Sequence, residues 1–393
     1  MKTIMTITLL SICTLVHLSG CSYSRYPTAD ISTNSSLAHL DINSLPFYKV
    51  KLEYRGKEIE ALIESGVENK ELKDYINEIK AGTDQEITYD YLKENLKVTA
   101  FYYPGIKDIE LPDNKTYSMP YIRESKNEIA AYILVEFPNG QKYRALLDTG
   151  MGTPVFLTSD IVLKNKLAIL PNKINDNGIK SNGGLCHIPQ LNFGSAKMID
   201  ALASYEQQQW QFRILNIPLD KHSDIILGRQ FIRSFDYVMF DNVNKEVVFS
   251  KDGTFKPDNP SLWTSYTFST IEEGGSAGTI MVDIPVASKV LTVAFDTGAG
   301  GLLLNKKHWL AVEQDMEVKQ LRESKFLIYN GTSFPCQIAT VSKLQIANTI
   351  HENAVLEIDN NPDNLSIFGF GYFQDTAVVL DFVNKLFWIK KTK

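Results

Sequence analysis

The chain has 393 residues, 44% of them hydrophobic and 22% charged, with 15 Pro, 23 Gly and 4 Cys. This composition excludes disordered, collagen-like and disulfide-framework classes, and the length suits two or three domains that each bury a real core. The net charge of −6 and the absence of a long basic run argue against a surface that tracks phosphates, so nucleic acid is not an expected partner.

The chain opens with Lys2 and an uncharged apolar stretch from Thr3 to Val16, which reads as a secretory signal over residues 1–20. Its ending, Leu18-Ser19-Gly20-Cys21, resembles the bacterial lipobox. That resemblance implies lipidation at Cys21, membrane attachment through the lipid, and a place in the cell envelope outside the cytoplasm. Ser22 in the next position implies outer-membrane sorting if the cell is Gram-negative; a plain signal peptide or a single membrane anchor is the alternative. Residues 21–44 are rich in Ser, Thr and Asn, have no apolar period, and read as a flexible tether.

Residues 45–120 read as a small α/β accessory region. Tyr48, Val50, Leu52 and Tyr54 alternate as in a half-buried strand, and Leu72, Tyr75, Ile76 and Ile79 follow at helical spacing before Gly82. A second helical stretch spans Tyr91 to Leu96. Residues 47–66 also resemble the hairpin before Asp148, so a decayed third copy and a generic hairpin both remain open, and Glu64 receives no catalytic role. The region carries more acidic than basic residues, which fits an accessory domain better than a basic pro-segment.

From about residue 128 onward, short β-rich runs punctuated by Gly, Asn and Pro continue to the end. Residues 251–263 form a linker between two similar halves, residues 121–250 and 264–393. The first half contains Asp148-Thr149-Gly150 after an apolar strand, then Ile225-Ile226-Leu227-Gly228, then Asp241. The second contains Asp296-Thr297-Gly298, then Ser366-Ile367-Phe368-Gly369, then Asp381. Gly228 follows Asp148 by 80 residues and Gly369 follows Asp296 by 73; the next Asp comes 13 and 12 residues later. The matching order and spacing indicate an internal duplication. Asp-Thr-Gly is expected only ~0.07 times by composition in a chain of this length.

On these paired motifs, residues 128–393 resemble the aspartic peptidases, with short retropepsin-like lobes joined in one chain as in pepsins. The resemblance implies a mainly β acid-protease fold: two retropepsin-like β-barrel lobes related by a pseudo-two-fold axis. It implies that Asp148 and Asp296 are catalytic and share a proton, with Thr149, Gly150, Thr297 and Gly298 supporting them. Peptide bonds of a polypeptide substrate would be hydrolysed by a water held between the two carboxyls, with no metal and no cofactor. With both lobes in one chain, a monomer is expected. A catalytically inactive peptide-binding or scaffold lipoprotein on the same fold is the alternative.

The chain departs from the family in several places. Gly152 and Gly300 stand where Ser, Asp or Asn is usual, and Met151 and Ala299 stand where pepsins carry a hydroxyl that donates to the dyad. Asn175–Leu185 and Glu323–Pro335 are flap candidates, the second containing Tyr329. Cys186 and Cys336 sit at equivalent places in the repeat and read as small buried residues, with a disulfide as the lesser reading. A Cys186-His187 nucleophile is disfavoured because neighbours in a strand point to opposite faces.

Overall fold

The computed structural model describes residues 47–54, 57–64, 97–102, 105–113, 115–122, 129–170, 175–176, 179–180, 184–206, 213–214, 217–218, 225–273, 276–327 and 333–391. The fold is mainly β. Strands β1 (Phe47–Tyr54), β2 (Lys57–Glu64) and β3 (Lys97–Tyr102) form a small antiparallel sheet in the order β2-β1-β3. The signal, the tether and both helices expected in the accessory region lie outside the described residues.

Strands β4 (Ile106–Glu110) and β5 (Thr116–Pro120) correct the expected domain boundary. β4 pairs with a first-lobe strand more than 80 residues away, through Met198↔Ile109. β5 pairs with the strand that ends that lobe, through Val248↔Ser118. Residues 106–120 therefore belong to the two-lobed body rather than to the accessory region.

The first lobe continues with β6 (Tyr132–Glu136), β7 (Lys142–Asp148), β8 (Val155–Thr158), β9 (Ala168–Leu170), β10 (Asn175–Asp176), β11 (Ile179–Lys180), β12 (Gly184–Phe193) and β13 (Ala196–Glu206). The short pair β14 (Arg213–Ile214) and β15 (Ile217–Pro218) precedes β16 (Ile225–Gly228). The order β13-β8-β16-β7-β6-β12, closed by a β12–β13 pairing, makes a barrel. Alternation along β7 sends Ala145 and Leu147 into its core, and Cys186, Val155 and Ile225 join them there.

After β17 (Tyr237–Asp241) and β18 (Glu246–Ser250), the linker is pinned rather than loose: the Phe255 ring packs edge-on against Tyr237, Trp263 and Trp388. The second lobe then runs β19 (Trp263–Glu273), β20 (Ser276–Val286), β21 (Lys289–Asp296), β22 (Leu302–Asn305), β23 (Val318–Leu327), β24 (Ser333–Ile346), β25 (Thr349–Asp359), β26 (Ile367–Gly369), β27 (Ala377–Asp381) and β28 (Leu386–Lys390). The order β24-β25-β22-β26-β21-β20, closed by β20–β24, is a second barrel built from the equivalent strands.

One antiparallel sheet, β19-β28-β27-β17-β18-β5, joins the lobes. Tyr237 pairs with Asp381 and Asp241 with Ala377, so the repeated strands β17 and β27 meet in a register that is its own mirror across the lobe boundary. This is the pseudo-two-fold relation expected from the duplication. It also explains the third Asp of each repeat. Asp241 accepts from Asn244 Nδ2 at 2.8 Å and Asp381 from Asn384 Nδ2 at 2.9 Å, so both cap hairpin turns that continue through Lys245 and Lys385 at positive φ.

Candidate active site

Asp148 ends β7 and Asp296 ends β21. Each strand has a parallel neighbour, with Asp148 opposite Gly228 and Asp296 opposite Gly369. The turns after the two Asp residues are held from behind in the same way in both lobes. Gly228 and Arg229 donate backbone N–H groups to Pro154 O (2.9 Å) and Met151 O (2.7 Å). Gly369 and Phe370 donate to Gly301 O (2.8 Å) and Ala299 O (2.7 Å).

The two threonines lock the lobes together. Thr149 Oγ1 donates to Phe295 O at 2.8 Å and accepts from Thr297 N at 2.9 Å. Thr297 Oγ1 donates to Leu147 O at 2.7 Å and accepts from Thr149 N at 2.9 Å. All four bonds are buried, so each hydroxyl satisfies groups that water does not reach.

Gly150 shows why no larger residue follows Thr149. A Cβ there would lie 2.6 Å from Asp296 Oδ2, inside contact distance. The Gly150 N–H also donates to Asp148 Oδ1 at 2.7 Å. Since N and Cβ of one residue are about 2.5 Å apart across two bonds, the carboxyl oxygens are at most about 8 Å apart.

Asp148 and Asp296 are 0% and 1% exposed, so both carboxyls are closed off from solvent. The Asp296 carboxyl is held well above the usual carboxylate range. Burial is the largest cause, followed by the Asp148 charge and the hydrogen bond between the two carboxyls; the Gly298 amide and the Arg229 guanidinium pull the other way. Asp296 Oδ2 receives no donor from the described residues, because the group opposite is another acid; a proton on either carboxyl supplies one. Asp148 Oδ1 accepts from Gly150 N and Met151 N, whereas Asp296 Oδ1 accepts from Gly298 N. Burial and the neighbouring acid favour the neutral form at Asp296 more than its donors favour the ionised one, so Asp296 is the seat of the shared proton.

The sequence reading missed two features here. Met151 offers no side-chain donor, as expected, but its backbone N–H reaches Asp148 Oδ1 at 3.2 Å. Arg229 was not singled out. It is 4% exposed, and its Nη1 donates to Thr149 O at 3.2 Å and across the lobe boundary to Thr279 Oγ1 at 3.1 Å. Its repeat equivalent is Phe370, so this cation breaks the symmetry of the site.

The flap candidates are described in part. Asn175↔Lys180 and Asp176↔Ile179 form a two-rung hairpin. β23 and β24 form a long hairpin to Leu327↔Ser333, with Tyr329 outside the described residues. Cys186 and Cys336 are both buried, and burial pushes the Cys186 thiol up to about 12, which removes it as a nucleophile. Cys21 lies outside the described residues. Among those residues, no group of His, Cys, Asp and Glu is placed to hold a metal ion.

No known protein family matches the chain, and no curated protein is significantly similar in sequence. Among solved structures, basic 7S globulin from soybean is similar at 9% identity and a TM-score of 0.39, over 71% of this chain and 95% of its own.

Proposed function

We propose that this protein is an aspartic endopeptidase anchored in the cell envelope by a lipid on Cys21. The observation that supports this reading best is the carboxyl pair itself: two buried acids at the ends of equivalent strands whose lobes are tied by reciprocal threonine bonds, with the Asp296 carboxyl pushed well above the usual carboxylate range by burial and by Asp148. In the proposed reaction, ionised Asp148 removes a proton from water as it attacks the scissile carbonyl carbon, while Asp296 gives its proton to the carbonyl oxygen. Collapse of the tetrahedral diol breaks the C–N bond: the proton on Asp148 passes to the leaving amine nitrogen, and one diol hydroxyl returns its proton to ionised Asp296 as it becomes the product carbonyl. The dyad is left with one proton, ready for another turnover.

The burial of both carboxyls also suits the second reading, a peptide-binding lipoprotein that does no chemistry. A peptide in which the scissile amide is replaced by a hydroxyethylene group separates the two, since its hydroxyl mimics the tetrahedral species. A peptidase binds it at least about 100-fold more tightly than the matching ketomethylene peptide and loses that margin in Asp296→Asn. Equal affinity for the two peptides would favour the binder. For the anchor, Cys21→Ala releases a soluble exported protein; continued tight membrane association would contradict lipidation at that residue.

A further inference from the structure

Each barrel presents one row of side chains on the sheet face that carries its aspartate, opposite the core. In the first lobe the pairing runs Tyr132↔Leu146, Leu146↔Ile226, Ile226↔Phe156 and Phe156↔Ser204. In the second it runs Met281↔Ala294, Ala294↔Ile367, Ile367↔Leu303 and Leu303↔Glu357. Residues directly opposite one another share a face, and residues two apart along a strand do too. Leu146 therefore lies on the Asp148 face and Ala294 on the Asp296 face. The intervening residues Val293, Phe295, Leu302, Phe368, Leu356 and Ile358 fill the barrel core, which fixes the direction of the alternation.

The rows differ at their fifth member, which is Ser204 in the first lobe and Glu357 in the second. Glu357 follows the apolar members Met281, Ala294, Ile367 and Leu303, and its Oε2 is buried with no hydrogen-bond partner among the described residues. Beyond it the row continues to Ile338 and then Arg322, and Arg322 is exposed. Burial pushes the Glu357 carboxyl up to about 7. Three strand spacings and two residue rises separate Glu357 from Asp296, roughly 15 Å between Cα atoms; two or three residues of an extended peptide plus one long side chain cover that distance.

We propose that Glu357 is a specificity-determining residue that receives a Lys or Arg side chain of the bound polypeptide in the second lobe, while the matching position in the first lobe, ending at Ser204, takes uncharged side chains. This rests on the peptidase reading. A basic side chain gives Glu357 Oε2 the donor that the described residues do not. The substrate class is thus a polypeptide with a basic residue on one side of the scissile bond only.

The test uses the full-length protein and a peptide cleaved by the wild type, with Lys, Arg, Gln, norleucine or Glu placed in turn at each of three positions on both sides of the cut. Lys or Arg at one position on one side should raise kcat/KM at least about tenfold over norleucine, the scale of a buried charged hydrogen bond. Glu357→Gln should bring that ratio close to one through loss on the basic peptide. Glu357→Leu, which suits the apolar surroundings, should do the same if the amide variant folds poorly. A wild type with no basic preference, or a preference that survives both variants, overturns the assignment and leaves the peptidase reading intact. If the folded wild type cleaves no peptide, the peptidase reading fails. Fluorescence anisotropy with the same peptides then decides for Glu357 separately: tighter binding of the Lys peptide that Glu357→Gln abolishes supports the site, and equal binding overturns it.

Discussion

Replacing Thr149 by Val keeps the shape of the side chain and removes the hydroxyl that ties one lobe to the other. Two buried groups lose their partner: the Phe295 carbonyl, now bonded at 2.8 Å, and the Thr297 N–H, bonded at 2.9 Å. Each orphaned buried group costs about 1–3 kcal/mol, so Thr149→Val should destabilise the protein by about 2–5 kcal/mol. Thr297→Val strands the Leu147 carbonyl and the Thr149 N–H and should cost a similar amount. The double variant should lose less than the sum, because both changes loosen one shared interface. Urea unfolding followed by tryptophan fluorescence reads this as a fall in the midpoint at constant slope. Thr149→Ser, which keeps the hydroxyl, is the control and should lose less than Thr149→Val. A Thr149→Val protein within about 0.5 kcal/mol of wild type would refute the claim that these bonds hold the lobes together.

Gly150→Ala puts a methyl group where it would lie 2.6 Å from Asp296 Oδ2, so cleavage should fall by at least about 100-fold while far-UV circular dichroism is unchanged; near wild-type turnover would contradict the close approach. Wild-type cleavage should peak in the weakly acidic range, since Asp296 holds its proton above ordinary carboxylate values, and a peak near pH 2 would contradict this. The Arg229 cation lowers the proton affinity of Asp296, so Arg229→Met should move the alkaline limb of the kcat/KM profile to higher pH; an unmoved or acid-shifted limb would count against its electrostatic role. Glu357 is raised from 4.5 to about 7 in the folded chain, so the folded state binds its proton more tightly and loses stability as pH rises from about 4.5 through 7. Glu357→Gln should therefore change stability little at pH 4 and add up to about 3 kcal/mol at pH 8.5, and an equal effect at both pH values would remove the argument.

The repeat was legible because its parts are local. Asp148-Thr149-Gly150 and Asp296-Thr297-Gly298 end apolar strands, and each aliphatic-Gly run is a buried strand flanked by strand pairings that its composition already suggests. Other features depend on partners far away in sequence. Residues 106–120 look like part of the preceding region until β4 and β5 pair across most of the first lobe. Arg229 follows Gly228 as an ordinary charged residue, and only the closure of the lobes puts Thr279 within its reach. Glu357 sits at an alternating position in Ala354–Asp359, and its place on the Asp296 face emerges only from the register of four successive strands. The donor from Met151 is a backbone group, which no side-chain pattern reveals.

The two-carboxyl mechanism is tested most directly by mass spectrometry of an unfolded protein after incubation with wild type, Asp148→Asn and Asp296→Asn, each shown to be folded, between pH 4 and 7. The two-carboxyl mechanism predicts discrete cleavage products from the wild type and a loss of at least about 1000-fold in either variant, because neither carboxyl can replace the other's role. Cleavage that persists in either variant, or a folded wild type that leaves the substrate intact across this range, would contradict it.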